Sequence, residues 1–284
     1  MTLLLSECDF PNIQQRYQVA ISAVEKTDSG FSVRLGDEIL SCVSLVIATG
    51  GLSMPKLGAT PLGYRLAEQF GLNVIPTSAG LVPFTLHTED KDRWSPLSGV
   101  AVPCRVETES GVSFRENILF THRGLSGPAV LQISSYWKSG QAVFIDWLPD
   151  GDWRELLDEC RQQQPNLTLK NALSRTLPKR VVESFMAHQG WADKPLKQWD
   201  HKDWNHLIEM LHHYPIKPNG TEGYRTAEVT LGGVDTNDLS SKTMEAKNIK
   251  GLFFVGEVMD VSGWLGGYNF QWAWSSGYVA GLNV

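Results

Sequence analysis

A short stretch near the C-terminal end of the chain limits the possible folds most strongly. Residues 252–255 are an apolar run typical of a buried strand, and Gly256 ends the run. A loop rich in glycine follows, and a helical pattern begins after Asn269. Because a helix start presents free N–H groups and a partial positive charge, this arrangement predicts a binding site for a phosphate or an anionic ring.

The helix predicted after this loop has one face with almost no side chains. Ala273, Gly277 and Gly281 recur every four residues, which places them on one side of a helix. Glycine in a helix interior costs about 1 kcal/mol relative to alanine, so the pattern indicates that another group approaches this face closely. Spacing alone leaves a second interpretation equally open, namely a tight strand-to-helix connection that binds nothing.

A second glycine pair follows a second apolar run. Residues 45–48 are typical of a parallel strand that is buried on both faces, and Gly50 and Gly51 end it. The carboxyl ends of parallel strands are where α/β sheets bind ligands. We therefore expect the strands at 45–48 and 252–255 to lie in one sheet, although they are far apart in the chain.

The composition restricts the partners of the protein. The chain has 284 residues, of which 42% are hydrophobic and 20% charged, as in globular proteins. The formal net charge of −6 argues against a nucleic-acid partner, which would require a basic face. No apolar run approaches the length of a membrane span. We therefore predict a small-molecule substrate, no nucleic-acid partner, no membrane association and a cytoplasmic location.

Cysteine and histidine spacing does not predict a metal site. The four cysteines are far apart and form no Cys-x-x-Cys pair, which favours reduced and mostly buried thiols. The histidines between residues 201 and 213 do not form the i, i+4 pair of a helical zinc site. Among the ten tryptophans, Trp264 and Trp272 flank the glycine loop and are candidates for a pocket, although aromatic residues more often pack cores.

The period of the apolar residues changes along the chain and predicts an α/β fold with nested domains. Short alternating segments between residues 81 and 148 are typical of an antiparallel barrel or sandwich, and the period becomes helical between 152 and 214. A strand at 227–231, ended by two glycines, returns the chain to the opening sheet. The predicted domains are a split α/β domain (1–78 and 236–284), an inserted β domain (79–150 and 215–235) and a helical domain (151–214).

Local signals mark the ends of several predicted helices. Pro61 opens one helix and Gly71 closes it, as expected from the preferences of proline and glycine at helix ends. Gly190 closes a second helix, and Asp200 is placed to cap a third.

Four segments resemble, in order, the motifs of a known family. They are 48–55 (Ala-Thr-Gly-Gly-Leu-Ser-Met-Pro), 120–128 (Phe-Thr-His-Arg-Gly-Leu-Ser-Gly-Pro), 227–234 (Ala-Glu-Val-Thr-Leu-Gly-Gly-Val) and 251–273, which begins Gly-Leu-Phe-Phe-Val-Gly-Glu and ends Gly-Gly-Tyr-Asn-Phe-Gln-Trp-Ala. The chain is similar to the YhiN-like/BaiN-like family of bacterial NAD(P)/FAD-dependent oxidoreductases. The resemblance implies that the split domain is a Rossmann-like FAD domain and that flavin carries a hydride, with NAD(P)H as a candidate electron donor.

The resemblance also implies which residues meet the cofactor. Val19 and residues 48–50 would line the adenosine side, and Glu257 and Asp260 would meet ribityl or phosphate-side groups. The N–H groups of residues 267–270 would point at the pyrimidine end of the flavin, where negative charge gathers on reduction. The predicted cofactor-binding residues are Val19, Ala48, Thr49, Gly50, Gly51, Gly256, Glu257, Asp260, Gly266, Gly267, Tyr268, Asn269 and Phe270.

Three residues are candidates for acid–base chemistry or for substrate binding. His122 and Arg123 lie in the motif at 120–128, and histidine titrates near neutral pH, so it can exchange a proton beside a flavin. Arg225 could hold a substrate carboxylate in a bidentate pair. An alternative is that all three form structural hydrogen bonds at domain contacts.

One motif of the fold is missing from the sequence. The fingerprint Gly-x-Gly-x-x-Gly should follow the first strand of a dinucleotide-binding domain, and family members carry it before the point that matches Met1. We therefore expect the chain to begin inside an incomplete, truncated FAD domain whose sheet is partly uncovered, and a homodimer is a candidate cover. The alternative function is a non-catalytic remnant or binding module that does not retain FAD.

Overall fold

The computed structural model describes residues 2–284, so Met1, with which the first predicted domain begins, lies outside the described residues, as do the side chains of Thr2 and Leu4. The helices are α1 (Thr2–Ser6), α2 (Leu62–Gln69), α3 (Thr88–Trp94), α4 (Pro128–Ser134), α5 (Trp153–Gln163), α6 (Leu169–Leu173), α7 (Lys179–Gln189), α8 (His201–His212) and α9 (Tyr268–Gly281). The strands are β1 (Ile21–Thr27), β2 (Gly30–Leu35), β3 (Glu38–Cys42), β4 (Leu45–Ile47), β5 (Val74–Gly80), β6 (Phe84–Thr85), β7 (Ala101–Thr108), β8 (Ser113–Phe120), β9 (Gly124–Ser126), β10 (Val143–Asp146), β11 (Tyr214–Ile216), β12 (Gly220–Thr221), β13 (Val229–Val234) and β14 (Leu252–Phe254).

The helix ends follow the local signals of the sequence. Asp200 precedes α8, and its carboxylate accepts a hydrogen bond from the Asp203 N–H at 2.8 Å, which satisfies one free donor of the first turn. Gly190 follows α7 in the left-handed region, with φ of 65°. Gly71, with φ of 78°, lies just beyond the end of α2. The predicted ends of these three helices are therefore confirmed.

Strands β4 and β14 pair in parallel. Leu252 lies opposite Leu45 and Phe254 opposite Ile47, and the Val255 N–H donates to the Ile47 carbonyl at 3.1 Å. This confirms the prediction that the two apolar runs share one sheet. The expectation that β4 is buried on both faces is wrong, because Val46, whose side chain points away from Ile47, is 40% exposed.

A larger sheet occupies the middle of the chain. Its seven antiparallel strands have the order β11-β10-β7-β8-β9-β6-β12, and helices α5 to α8 lie in the chain between β10 and β11. Trp147 in the segment after β10 and Phe185 on α7 meet edge to face, with ring centroids 5.0 Å apart. Sheet and helices thus share one apolar core, which runs from Phe84 to Ile216.

The antiparallel pair of β5 and β13 connects this core to a second one. The second core contains residues from 24–72 and from 234–280. The prediction that a glycine pair ends the strand at 227–231 is wrong, since β13 continues through Gly232 and Gly233 to Val234. The register shifts there, and a Cβ on Gly232, whose φ is 76°, would collide with the Pro76 carbonyl. The predicted domain boundaries stay predictions.

The four thiols are free. Cys104 and Cys160 are buried, Cys42 is partly buried and Cys8 is exposed, so burial is confirmed for two of the four thiols. Within residues 2–284, no group of three or more His, Cys, Asp and Glu side chains is placed to hold a metal ion.

Two elements expose an unusual share of apolar surface. On β4, Val46 is exposed, and β14 is the only strand that pairs with β4 in the described part of the chain. On α9, the side chains of Phe270, Trp274 and Tyr278 are exposed. In the region that the structure covers, no helix has the length and apolar character needed to cross a bilayer. Exposed apolar patches and free strand edges both promote association between protein chains.

We predict that the purified protein elutes from a sizing column as a species larger than its 31.6-kDa monomer. Replacing Val46 and Tyr278 together by lysine should shift the protein toward the monomer, because charge on these surfaces disfavours association. Leu57→Lys is the matched control, since Leu57 is also an exposed apolar residue but lies on neither element. A wild-type protein that is monomeric by light scattering would contradict this expectation.

Candidate functional site

Several loops converge on one cavity. Because β4 and β14 are parallel, the loops that follow them leave the sheet at the same edge. The start of α9 and the start of β13 complete the walls. The cavity has a volume of about 350 Å³. Its lining residues are Ala48, Gly50, Leu81, Glu228, Val229, Val255, Gly256, Glu257, Trp264, Leu265, Gly266, Gly267, Asn269, Phe270 and Ala273.

Thr230 on β13 holds three of these segments together. The side chain is buried, and its hydroxyl oxygen accepts hydrogen bonds from the Leu52 N–H at 2.8 Å and the Ser53 N–H at 3.2 Å. The backbone N–H of Thr230 donates to Oε1 of Glu257 at 2.9 Å. One residue therefore fixes the loop after β4 and the loop after β14 relative to β13.

Close packing around this network explains why residue 51 is glycine. A Cβ at Gly51 would collide with the carboxylate of Glu257 and with the side chain of Thr230. Any larger residue would separate the two loops. Gly51 therefore supports the cavity wall without lining it.

Glu257 lines the cavity and is held by Thr230. Burial raises the pKa of its carboxyl group, and the hydrogen bonds from Thr230 oppose this shift. The hydroxyl of Tyr64 on α2 is buried without a partner among the described residues. Burial and the charge of Glu257 both raise the pKa of Tyr64.

The start of α9 is free to meet a ligand. Gly267 precedes the helix in the left-handed region, with φ of 88°, and no side chain caps the helix. Nothing lies within 4 Å of the position that a Cβ on Gly267 would take. Asn269 binds back to Gly263, accepting from its N–H at 2.8 Å and donating to its carbonyl at 3.1 Å, which fixes the loop. Free N–H groups at an open helix start suit a phosphate or the anionic edge of a reduced flavin.

The cavity brings together many of the residues predicted to bind a cofactor. Ala48, Gly50, Gly256, Glu257, Gly266, Gly267, Asn269 and Phe270 line it. Val19, Thr49, Gly51, Asp260 and Tyr268 do not line it. The roles assigned to both groups stay predictions.

The three candidates for acid–base chemistry lie outside the lining of the cavity. His122 and Arg123 are exposed in the turn between β8 and β9, and Arg225 is exposed in the short turn Gly223–Arg225. The Arg123 guanidinium pairs with the Glu222 carboxylate at 3.3 Å, which joins these two turns. That contact agrees with a structural role for Arg123, and the catalytic roles stay predictions.

Some lining residues were not predicted. Leu81 has φ of 46°, in the left-handed region, which is energetically unfavourable for a residue with a bulky side chain. No local pattern in the sequence indicates this conformation. Glu228 lies in the motif at 227–234, so the motif itself could have indicated it. Of the two tryptophans considered for a pocket, Trp264 lines the cavity, whereas the Trp272 ring N–H donates to the Gly256 carbonyl at 3.2 Å.

Comparison with protein families identifies the fold to which these loops belong. A family model described as "HI0933-like protein Rossmann domain" matches residues 1–283. The chain belongs to the HI0933-like family. This membership confirms the expected Rossmann-type α/β fold and explains why the glycine loops of the HI0933-like chain cluster at the carboxyl ends of parallel strands.

The HI0933-like chain has several named relatives. It is 57% identical over 282 residues to a protein of Escherichia coli (strain K12) named ribosomal RNA dihydrouridine synthase. The aligned residues cover 99% of this chain and 70% of the relative. A protein of the same name from Haemophilus influenzae is 48% identical, with coverage of 99% and 71%. The 3-dehydro-bile acid delta(4,6)-reductase of Clostridium scindens is 28% identical, with coverage of 93% and 67%. The last similarity agrees with the resemblance to the BaiN-like group.

We predict that Thr230→Val lowers the free energy of unfolding by about 1–3 kcal/mol, because the N–H groups of Leu52 and Ser53 lose their acceptor. Thr230→Ser is the matched control, since it keeps the hydroxyl. Urea unfolding followed by circular dichroism measures both variants. Equal stability of the valine and serine variants would show that the hydroxyl does not hold the loops.

We predict that Gly267→Val weakens FAD binding at least about ten-fold, since the new side chain would need a left-handed backbone and would fill the open space before α9. Gly277→Val is the matched control, because Gly277 lies on the same helix, faces open space and does not line the cavity. Titration with FAD, followed by flavin fluorescence, gives both dissociation constants. If the two variants bind FAD equally well, the loop is only a turn.

Proposed function

We propose that this HI0933-like protein is an FAD-dependent oxidoreductase that reduces a uridine of ribosomal RNA to dihydrouridine. The observation that carries the proposal is the 57% identity across 99% of the chain to a protein named ribosomal RNA dihydrouridine synthase. The second relative of the same name, at 48% identity, supports the same substrate. The open helix start and the glycine loops around the cavity support the cofactor.

The reaction implied by that name is a two-electron reduction. Dihydrouridine differs from uridine by two hydrogens across the C5=C6 bond of the ring. One carbon receives a hydride and the other a proton, and a nicotinamide such as NAD(P)H is the class of reductant that balances the electrons. FAD, when bound, supplies the hydride chemistry.

The residues of this chain would prepare the site for that chemistry. The N–H groups at the start of α9 would stabilise the negative charge that develops on the pyrimidine end of a reduced ring. The Glu257 carboxylate, which lines the cavity, would accept a hydrogen bond from a sugar-like hydroxyl of the cofactor. Thr230 would keep these groups in place before the cofactor arrives, so that binding requires little rearrangement.

The relatives and the net charge favour different substrates. The net charge of −6 favours a small molecule over a nucleic acid, and this stays a prediction. Net charge describes the whole chain, however, whereas an enzyme that acts on a base reads an extruded nucleotide in a local pocket. A small unsaturated substrate is the second candidate, supported by the 28% identity to a bile acid reductase.

We also propose that the predicted nested domains divide the work of this function. An FAD domain (1–78 and 236–284) would hold the cofactor, and an inserted β domain (79–150 and 215–235) with its helical part (151–214) would close over the substrate. Two separate apolar cores, one between Phe84 and Ile216 and one in the flanking segments, support this division.

A direct assay tests the proposed function. We predict that the protein, supplied with FAD, NADPH and unmodified ribosomal RNA made by transcription, adds two hydrogens to a uridine, which mass spectrometry of RNA digests detects. Gly267→Val should abolish the product and Gly277→Val should retain it. Free uridine and an unsaturated steroid ketone, offered in place of RNA, test the small-molecule candidate.

Flavin absorption of the purified protein distinguishes a flavin-dependent enzyme from a non-catalytic remnant. Purified protein that shows flavin absorption, or gains it after addition of FAD, supports the oxidoreductase. Protein that stays colourless after addition of FAD, and reduces none of the substrates, supports a non-catalytic remnant or binding module.

A further inference from the structure

A second pocket lies beside the cofactor cavity. It has a volume of about 360 Å³ and is lined by Ser262, Gly263, Trp264 and Tyr268. Trp264 lines both this pocket and the cofactor cavity, so the two adjoin at this residue. None of the four lining residues is charged, which makes the pocket unsuited to an anion and suited to a flat neutral ring. We name it the aromatic cleft.

Contacts from β8 and from the segment after α4 hold the Trp264 ring in place. The Trp264 ring N–H donates to the Tyr136 hydroxyl at 2.6 Å. The ring of Phe114 on β8 meets the indole edge to face, with centroids 5.2 Å apart and planes at 90°. The indole is nevertheless 52% exposed. A large ring that is fixed in orientation but half exposed offers a ready surface for a stacking partner.

Tyr268 forms the other wall of the aromatic cleft. It is 62% exposed and begins α9. A Cβ on Gly263 would lie 2.6 Å from Cβ of Tyr268, and a Cβ on Gly266 would lie 3.4 Å from its ring. Glycines at both positions therefore keep the space around the ring free of other side chains. The cleft is thus lined by two aromatic residues, a serine and a glycine.

We propose that the aromatic cleft binds a base of single-stranded RNA next to the uridine that enters the cofactor cavity. This inference rests on the proposed function, since it assigns the RNA contact of that same site. The cleft adjoins the cofactor cavity at Trp264, so a base next to the target uridine would reach it while the uridine meets the cofactor. Aromatic side chains stack on any base, because every base has a π-face.

A cationic side chain lies close in sequence to Tyr136, the residue that holds the Trp264 ring. Lys138 follows Tyr136 by two residues and is exposed. It forms no ion pair within residues 2–284, so its charge is free to meet the RNA backbone. The acidic balance of the whole chain therefore does not prevent a local contact with RNA.

The test is binding of RNA without FAD or NADPH, so that it does not depend on catalysis. The probe is a short fluorescein-labelled single-stranded RNA with one central uridine, and fluorescence anisotropy gives its dissociation constant. Trp264→Ala and Tyr268→Ala should each weaken binding about ten-fold, whereas Tyr268→Phe should keep it, since the stacking surface remains. Trp274→Ala is the matched control, because Trp274 is 57% exposed on the same helix but lines neither pocket.

The outcomes separate this inference from the proposed function. Selective loss of RNA affinity in the two alanine variants supports RNA binding at the aromatic cleft. This holds even if the dihydrouridine assay gives no product and the proposed function fails. Three results overturn it: no RNA binding by the wild type, affinities of both alanine variants within roughly two-fold of the wild type, or an equal loss in Trp274→Ala. If dihydrouridine forms while the alanine variants bind RNA normally, the function stands and the cleft has no part in it.

Discussion

The parallel pairing of β4 with β14 is the contact on which the rest of the site depends. It joins two segments from opposite ends of the chain in fixed register. Because parallel strands point the same way, the glycine loops that follow them leave at one edge. Thr230 then binds both loops through its hydroxyl and its N–H, and Gly51 lets the carboxylate of Glu257 approach. A change in the register of this one pair would separate every wall of the cavity.

The electrostatics of the site come from backbone more than from charged side chains. The start of α9 carries no capping side chain and no acidic residue in its first turn, so its N–H groups keep their full attraction for an anion. Glu257 and Glu228 are the charged residues of the lining. A cavity with two carboxylates tolerates an anionic ligand only where the helix start faces it. In the proposed function, this contrast would orient a cofactor that has a neutral body and an electron-rich edge.

The two apolar cores meet at this site. The second core includes residues of β4 and β14, whereas Phe114 of the larger sheet and Tyr136, which follows α4, hold Trp264. Leu81, in its strained conformation at the end of β5, lines the cavity where the chain passes from one core to the other. The walls of the cavity therefore come from distant parts of the chain.

The sequence by itself determined the features that depend on neighbouring residues. Asp200 and Gly190 mark helix ends because capping and left-handed backbone are local properties, and the glycine before α9 follows from the same rule. The motifs also identified many of the cavity residues. Only the tertiary structure decided which face of β4 is covered, that β13 continues through its glycines, that Thr230 joins two loops, and that Tyr136 holds Trp264. Each of these depends on contacts between residues far apart in the chain, where no local pattern records the partner.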